Sequence, residues 1–426
     1  MELLNVLVFA YYYPPMGLSG VQRVAKFTKY LPDFGWRPHV ITSGPTAYYA
    51  HDESMLKELA ERDIVIYRTS GKDPNALLAR KGTVKMPREF IRKFLSRISN
   101  TFLLPDNKKS WSNQALVLAR ELTKTIPFDV IFVSGPPFSA MMSAAKLSTE
   151  TGIPLVVDYR DLWYGNQFHF YPTPWHAHKH QKYEQEVLKH ASRVIVTNRR
   201  IKEKLIAAYS HLSFEDVIII PHGFDPEDIP LTLDFGDRSA FKITYSGLFY
   251  DFVTPLYFFR AVKKFIDSVP DAHIELHFAG VLRDEYKKMA RKQGIDNLLI
   301  DHGYLPHKEA VDLLMHSDAL WMMVGEGRNT DTVSSGKLYE YFGTQKPLLV
   351  SVQQGALRRD AERYGAAWIT DPYDVDAIAQ CLAEMYERWK SDTLPAPEPT
   401  VVAQFDRRAL TDVLARQLAM STRIPS

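Results

Sequence analysis

Short apolar runs, each ending in a turn with glycine or proline and followed by a stretch of helical period, recur along this chain and restart after an acidic, proline-containing interval. In the first half the runs are residues 3–10, 39–42, 64–67, 130–133, 154–158, 193–197 and 217–220. In the second they are 242–246, 273–279, 295–301, 319–324, 347–350 and 366–370. Runs that are apolar without alternation suit strands buried on both faces, and helices between them force the strands to lie parallel. The pattern therefore predicts an α/β protein of two doubly wound, Rossmann-like domains. In such sheets ligands bind beyond the carboxyl ends of the strands, and the two sets of ends are expected to face each other across a cleft.

At 426 residues the chain is too long for one compact core. Residues 1–225 are expected to form the first domain and 226–404 the second, with 226–239 as a linker. Pro395, Pro397 and Pro399 form an extended connector that carries a final helix, within 405–426, back to the first domain. A formal charge of +2 argues against an extended nucleic-acid surface. Cys381 is the single cysteine, which excludes an internal disulfide and a cysteine-based metal site. The first residues lack a basic leader region, and no apolar run approaches the roughly 20 residues of a membrane span. A cytoplasmic protein is expected. Peripheral membrane contact stays open at 87–100, where Phe90, Ile91, Phe94, Leu95 and Ile98 form one helical stripe among Arg88, Arg92, Lys93 and Arg97. The alternative there is a domain helix whose stripe packs on the core.

The stretch 334–343 reads as a loop opening a short helix. Ser334, Ser335 and Gly336 leave backbone N–H groups at a helix start, where the helix dipole favours an anion, and Lys337 adds a full charge. Glu340, three residues on, projects from the same side. A diphosphate beside a hydroxyl-rich ring would satisfy both residues; an ordinary capped helix is the alternative. Gly17, Ser19 and Gly20 follow the first run and permit backbone to approach a phosphate or sugar. Asp158, Arg160 and Asp161 gather at another strand end, where charges must pair or bind something polar. His176, His180 and Glu184 share a helical face, but one helix does not wrap three ligands around one ion, so no metal is expected.

Taken together, several segments resemble the GT-B glycosyltransferases, and among them the bacterial family 4 type. They are Tyr13-Pro14-Pro15 with Gly17 and Gly20, the run 134–137, Asp158 to Trp163, Pro221-His222-Gly223-Phe224-Asp225, Tyr245-Ser246-Gly247 and Gly336 to Tyr341. The resemblance implies transfer of a sugar from a UDP-, GDP- or dTDP-linked donor to a glycan or lipid-linked acceptor, with retention, without a bound metal or other cofactor, in cell-envelope polysaccharide or related synthesis. It implies that Glu340 holds the ribose, that Ser335, Gly336, Lys337 and Leu338 hold the diphosphate, and that Tyr304 and Leu305 meet the base through their backbone. Gly17, Ser19, Gly20 and Gly247 are further donor positions, and Lys337, Arg160 and Asp161 the catalytic candidates. Asp331 and Thr332 occupy the place where many members carry a Glu for the transferred sugar. Tyr250 and Asp251 follow Gly247 where an Arg and a Lys are frequent, Leu18 stands where a second small residue is common, and His222 replaces a frequent Asn. Another two-domain sugar-nucleotide enzyme, an epimerase or phosphorylase, and a non-catalytic nucleotide-binding protein remain as alternatives.

Overall fold

A computed structural model describes residues 3–48, 50–69, 71, 97–167, 169–229, 239–249 and 252–422. Residues 87–96 of the helix expected over 87–100, the linker residues 230–238, and Tyr250 and Asp251 lie outside them. The chain divides into two compact units, Met1–Pro221 with Arg407–Ser426, and His222–Asp406.

Unit 1 is a seven-stranded sheet in the order β3-β2-β1-β4-β5-β6-β7. Its strands are β1 (Leu4–Phe9), β2 (Trp36–Ser43), β3 (Val65–Thr69), β4 (Val130–Gly135), β5 (Leu155–Tyr159), β6 (Ala191–Val196) and β7 (Val217–Ile219). The helices are α1 (Ser19–Tyr30), α2 (Glu53–Ala60), α3 (Lys109–Leu122), α4 (Phe138–Thr151), α5 (Pro174–His190) and α6 (Arg199–Ala208). β1, β4 and β5 bury residues on both faces, as their unbroken apolar runs require. All pairings are parallel, and β1 lies between β2 and β4, so the winding reverses there.

Unit 2 repeats the scheme with six strands in the order β10-β9-β8-β11-β12-β13. They are β8 (Phe241–Ser246), β9 (Ile274–Ala279), β10 (Leu299–Gly303), β11 (Ala319–Val324), β12 (Leu348–Val352) and β13 (Ala367–Thr370). Its helices are α7 (Leu256–Ser268), α8 (Asp284–Gln293), α9 (His307–Met315), α10 (Gly336–Thr344), α11 (Ala356–Tyr364), α12 (Val375–Lys390) and the short α13 (Pro399–Ala403). The final helix, α14 (Arg407–Ser421), belongs to unit 1, where Leu410, Leu414 and Leu418 join the core and Arg408 pairs with Asp33 at 3.1 Å.

Two segments differ from their sequence patterns. The run 295–301 was expected as a strand, but Asp296–Leu298 turns as a 3-10 helix and β10 starts only at Leu299. Asp and Asn favour such turns, and Ile295 is instead buried as core. The proline-rich connector contains α13, because Pro399 sits in the first helical turn, where its missing N–H costs nothing, and Glu398 caps it.

Candidate active site

The winding of unit 2 reverses between β8 and β11. Two glycines end neighbouring strands at that point. Gly247 has φ +130°, and a Cβ on it would lie 2.8 Å from Lys337 Nζ. Gly280 has φ +133°, and a Cβ there would lie 2.2 Å from the Gly247 carbonyl oxygen. Side chains are excluded at both places, which leaves a floor of bare backbone. Gly247 N donates to Ala279 O at 2.7 Å and Gly280 N to Gly303 O at 2.7 Å.

The first turn of α10 stands beside this floor. Ser335 is the extended residue before it and makes no side-chain capping bond, so the positive end of the helix is left uncapped by its own chain. The rest of α10 is fixed on its buried side. The Tyr341 hydroxyl accepts from Ser246 N at 2.8 Å, the Tyr339 hydroxyl donates to Asp360 at 2.8 Å, and Phe342 stacks on Tyr364 with ring centres 4.4 Å apart. Phe224, in the segment before unit 2's first strand, packs so closely that a Cβ on Gly343 would lie 2.5 Å from its ring. Lys337, one turn before Tyr341, and Glu340 beside it lie along one edge of that packed side.

Lys337 Nζ lies 3.7 Å from the centre of the Tyr245 ring. Crowding by protein pushes its ammonium down to about 7, while the Glu340 charge acts in the opposite direction. The side chain keeps some exposed surface. Glu340 Oε1 is 3.3 Å from His307 Nδ1, and His307 Nε2 is 3.0 Å from Asp228 Oδ2. Tyr304 is 37% exposed and Leu305 half-buried, between β10 and α9. Leu338 is fully buried, and its N–H donates to Ser335 O at 3.1 Å. Asp331 and Thr332 lie in a 3-10 turn after Asn329, whose φ is +56°. The buried Thr332 hydroxyl donates to Asn329 O at 2.7 Å and so maintains that turn.

In unit 1, Gly17 N donates to Ala50 O at 2.9 Å, and Ser19 opens α1. Leu18 between them holds φ +69°, so the turn keeps a glycine-like conformation without a glycine. Arg160 donates to the carbonyls of Gly20, Pro136 and Gly135, the last at 3.3 Å. It clamps the end of β4 to the first turn of α1. Arg23 grips the fully buried Asp158 with two nitrogens, the shortest contact 2.7 Å, and Ser134 donates to the same carboxylate at 2.7 Å. Asp161 is half-buried; burial raises its carboxyl above the usual range, opposed by the Arg160 charge and by Gln167 Nε2, which donates at 3.3 Å.

The histidine-bearing face of α5 is taken up by protein. His176 meets Thr173 Oγ1 at 2.8 Å and Thr101 O at 3.1 Å, and His180 Nδ1 accepts from Trp163 at 3.1 Å. Glu184 accepts from Tyr209 at 2.6 Å and from Tyr164 N at 3.1 Å, and burial pushes its carboxyl up to about 7.

The sequence profile of Glycosyltransferase Family 4 matches residues 19–228. Among solved structures, a glycosyltransferase from Rickettsia africae superposes with a TM-score of 0.67 at 13% identity, covering 100% of both chains. HepE from Anabaena, solved with UDP and glucose, gives 0.64 at 13% identity, covering 98% of this chain and 100% of that one. Sucrose-phosphate synthase from Thermosynechococcus elongatus gives 0.63 at 11% identity, covering 98% and 99%. Residues 19–228 thus carry the family 4 profile, and the chain as a whole has the GT-B fold of these structures. No curated protein sequence matches it significantly.

The structure gathers Gly247, Ser335, Gly336, Lys337 and Glu340 in unit 2, and Gly17, Ser19, Gly20, Arg160 and Asp161 in unit 1. Sequence reasoning missed Tyr245 as the seat of Lys337 and Tyr341 as the pin of α10. It also missed Asp228 and His307, the first placed in the linker and the second read only as a helix start. The spacing from Lys337 to Tyr341, one full helical turn, was the available signal for the pin.

Proposed function

We propose that this glycosyltransferase moves a sugar from a nucleotide diphosphate, UDP-linked by analogy with the UDP held by HepE, to a glycan or lipid-linked acceptor with retention. The observation that carries the reading is the uncapped first turn of α10 beside the Gly247–Gly280 floor, with Lys337 held over Tyr245. The donor diphosphate lies along the N–H groups of Gly336 and Lys337, Glu340 accepts from the ribose hydroxyls, and the Tyr304–Leu305 backbone meets the base. As the bond from the anomeric carbon to the diphosphate oxygen breaks, charge builds on that oxygen and protonated Lys337 stabilises it. The acceptor hydroxyl forms the new bond and passes its proton to that departing oxygen. Asp161 and Arg160 of unit 1 are the further catalytic residues proposed, with Arg160 bracing the strand end next to Asp161. Fixed amides and one cation take the charge that a metal would otherwise neutralise, so turnover is expected to survive chelation.

Lys337→Ala should lower kcat about a hundredfold, as loss of a charge-stabilising group does. Glu340→Ala should chiefly raise the donor KM. An unchanged rate in the first variant, donor isomerisation, or sugar release that requires phosphate would each overturn the assignment. A donor panel read by thermal shift identifies the base and sugar.

A place in cell-envelope polysaccharide synthesis and work at the cytoplasmic membrane surface belong to the same proposal. Among the described residues no helix is long and apolar enough to cross a membrane. Peripheral contact is supported by Phe102, Phe170 and Trp175, which are 78%, 44% and 54% exposed. Arg97 lies over Phe170 at 5.4 Å and Lys179 over Trp175 at 5.6 Å. Residues 97–104 and 169–182 contain no Asp or Glu. Aromatic side chains beside cations suit an anionic interface. Sedimentation with anionic vesicles should pull the protein down, and Phe102→Ser with Trp175→Ser should release it.

A further inference from the structure

We infer that His307, braced by Asp228, fixes the Glu340 carboxylate in the orientation that selects a ribose over a deoxyribose in the donor; this rests on the proposed donor reading. Glu340 is the fifth residue of α10, and its side chain keeps 18% of its surface exposed. A carboxylate so placed has several rotamers, yet two neighbouring sugar hydroxyls must meet its oxygens in one geometry. Recognition of this kind depends on partners that hold the acceptor in place before the ligand arrives.

His307 supplies such a partner from another element. It is the first residue of α9, just beyond Tyr304 and Leu305, and its Nδ1 is 3.3 Å from Glu340 Oε1. Its Nε2 is 3.0 Å from Asp228 Oδ2. The imidazole and Asp228 keep only 11% and 6% of their side-chain surface exposed, so the bridge is largely enclosed while Glu340 reaches outward. Asp228 is itself fixed. It ends the 3-10 turn Pro226–Asp228, which Asp225 caps by accepting from Glu227 N at 3.0 Å. Phe224 ties that segment to Phe405 O at 3.0 Å and packs on Gly343 of α10. The chain Asp228–His307–Glu340 therefore joins three elements of unit 2, and its free end is the carboxylate assigned to the ribose. His307 is a positioning residue; it acts through Glu340.

The readout is the ratio of affinities for UDP and 2′-deoxy-UDP, measured by calorimetry on the full chain. The wild type should prefer UDP by about tenfold or more, the worth of a hydrogen bond to a charged group. Glu340→Gln should abolish most of the preference. His307→Gln and Asp228→Asn should each cut it to within about threefold, with the larger change in donor KM and little in kcat. A purely structural histidine would weaken both nucleotides equally and leave the ratio intact. If Glu340→Gln loses the preference but folded His307→Gln and Asp228→Asn keep it, the inference falls and the donor reading stands. If the wild type shows no preference, or Glu340→Gln retains it, the donor reading itself falls. Thermal unfolding of each variant identifies any that fail to fold, and the two independent bracing positions keep the test decisive.

Discussion

At the carboxyl end of the first sheet, Arg160 and Arg23 deliver their guanidinium groups to backbone carbonyls and to Asp158, whereas at the second sheet's end Lys337 rests on the ring of Tyr245. The arginines repay their desolvation within the fold. Lys337 is held partly desolvated, its ammonium pushed down to about 7, and in the proposed reading the donor's anion offsets that cost. One unit uses buried charge as framework; the other holds it ready for a ligand.

The strongest way to break this contrast is to remove one cation from each side. Arg23→Met strands the Asp158 carboxylate in the core and should cost about 3–5 kcal/mol in a denaturant titration. Lys337→Met should leave stability unchanged or slightly higher, since it replaces a desolvated amine with an apolar chain of similar length. Equal losses in the two variants would erase the distinction.

A smaller effect sharpens it. With its folded value near 7 and an unfolded value near 10.5, Lys337 is only partly protonated in the free protein at neutral pH. An anionic donor binds the protonated form, so binding takes up protons. Affinity should fall with rising pH above about 7, by up to about tenfold per unit until the bound state's own pKa is reached. Calorimetry of UDP in two buffers of different ionisation enthalpy should show fractional proton uptake near pH 7.5, and Lys337→Met should show none.

The smallest effect lies in unit 1, around Glu184. Its folded value near 7 lies above the unfolded 4.5, so its contribution to stability is fully present below 4.5 and is lost as pH rises toward 7. His169 and His180 are pushed down by burial to about 4 and about 3, so their contribution is present above 6.5 and is lost as pH falls. The two trends oppose each other between pH 5 and 6.5. Glu184→Gln removes the first, and its melting temperature should drop more steeply on acidification than that of the wild type.

The alternation of apolar runs and helical stretches made the two sheets legible, because a strand buried on both faces has to be written almost entirely in apolar residues. β10 was misplaced because its outer residues are polar, Asp301 and His302, leaving the buried Ile295 as the stronger signal. Lys337 and Glu340 were legible because they lie one helical turn apart beside small residues. The residues that hold them were not. Tyr245, His307 and Asp228 come from a strand, a helix start and a loop that only the folded chain brings to α10, and no spacing in the sequence encodes those meetings. Arg160 stood out correctly as a charge at a strand end, but its engagement with three carbonyls depends on backbone positions that side-chain chemistry does not reveal.

The glycine floor also governs how this protein tolerates change. A random library would be purged at Gly247, whose φ of +130° strains any side chain, and at Gly280, where a methyl group collides with peptide. Tyr304 is 37% exposed, whereas the turn at Asn329 to Thr332 is itself hemmed in, since a Cβ on Gly355 would lie 2.8 Å from Asp331 O. Altered base preference should therefore accumulate at Tyr304 rather than on the floor.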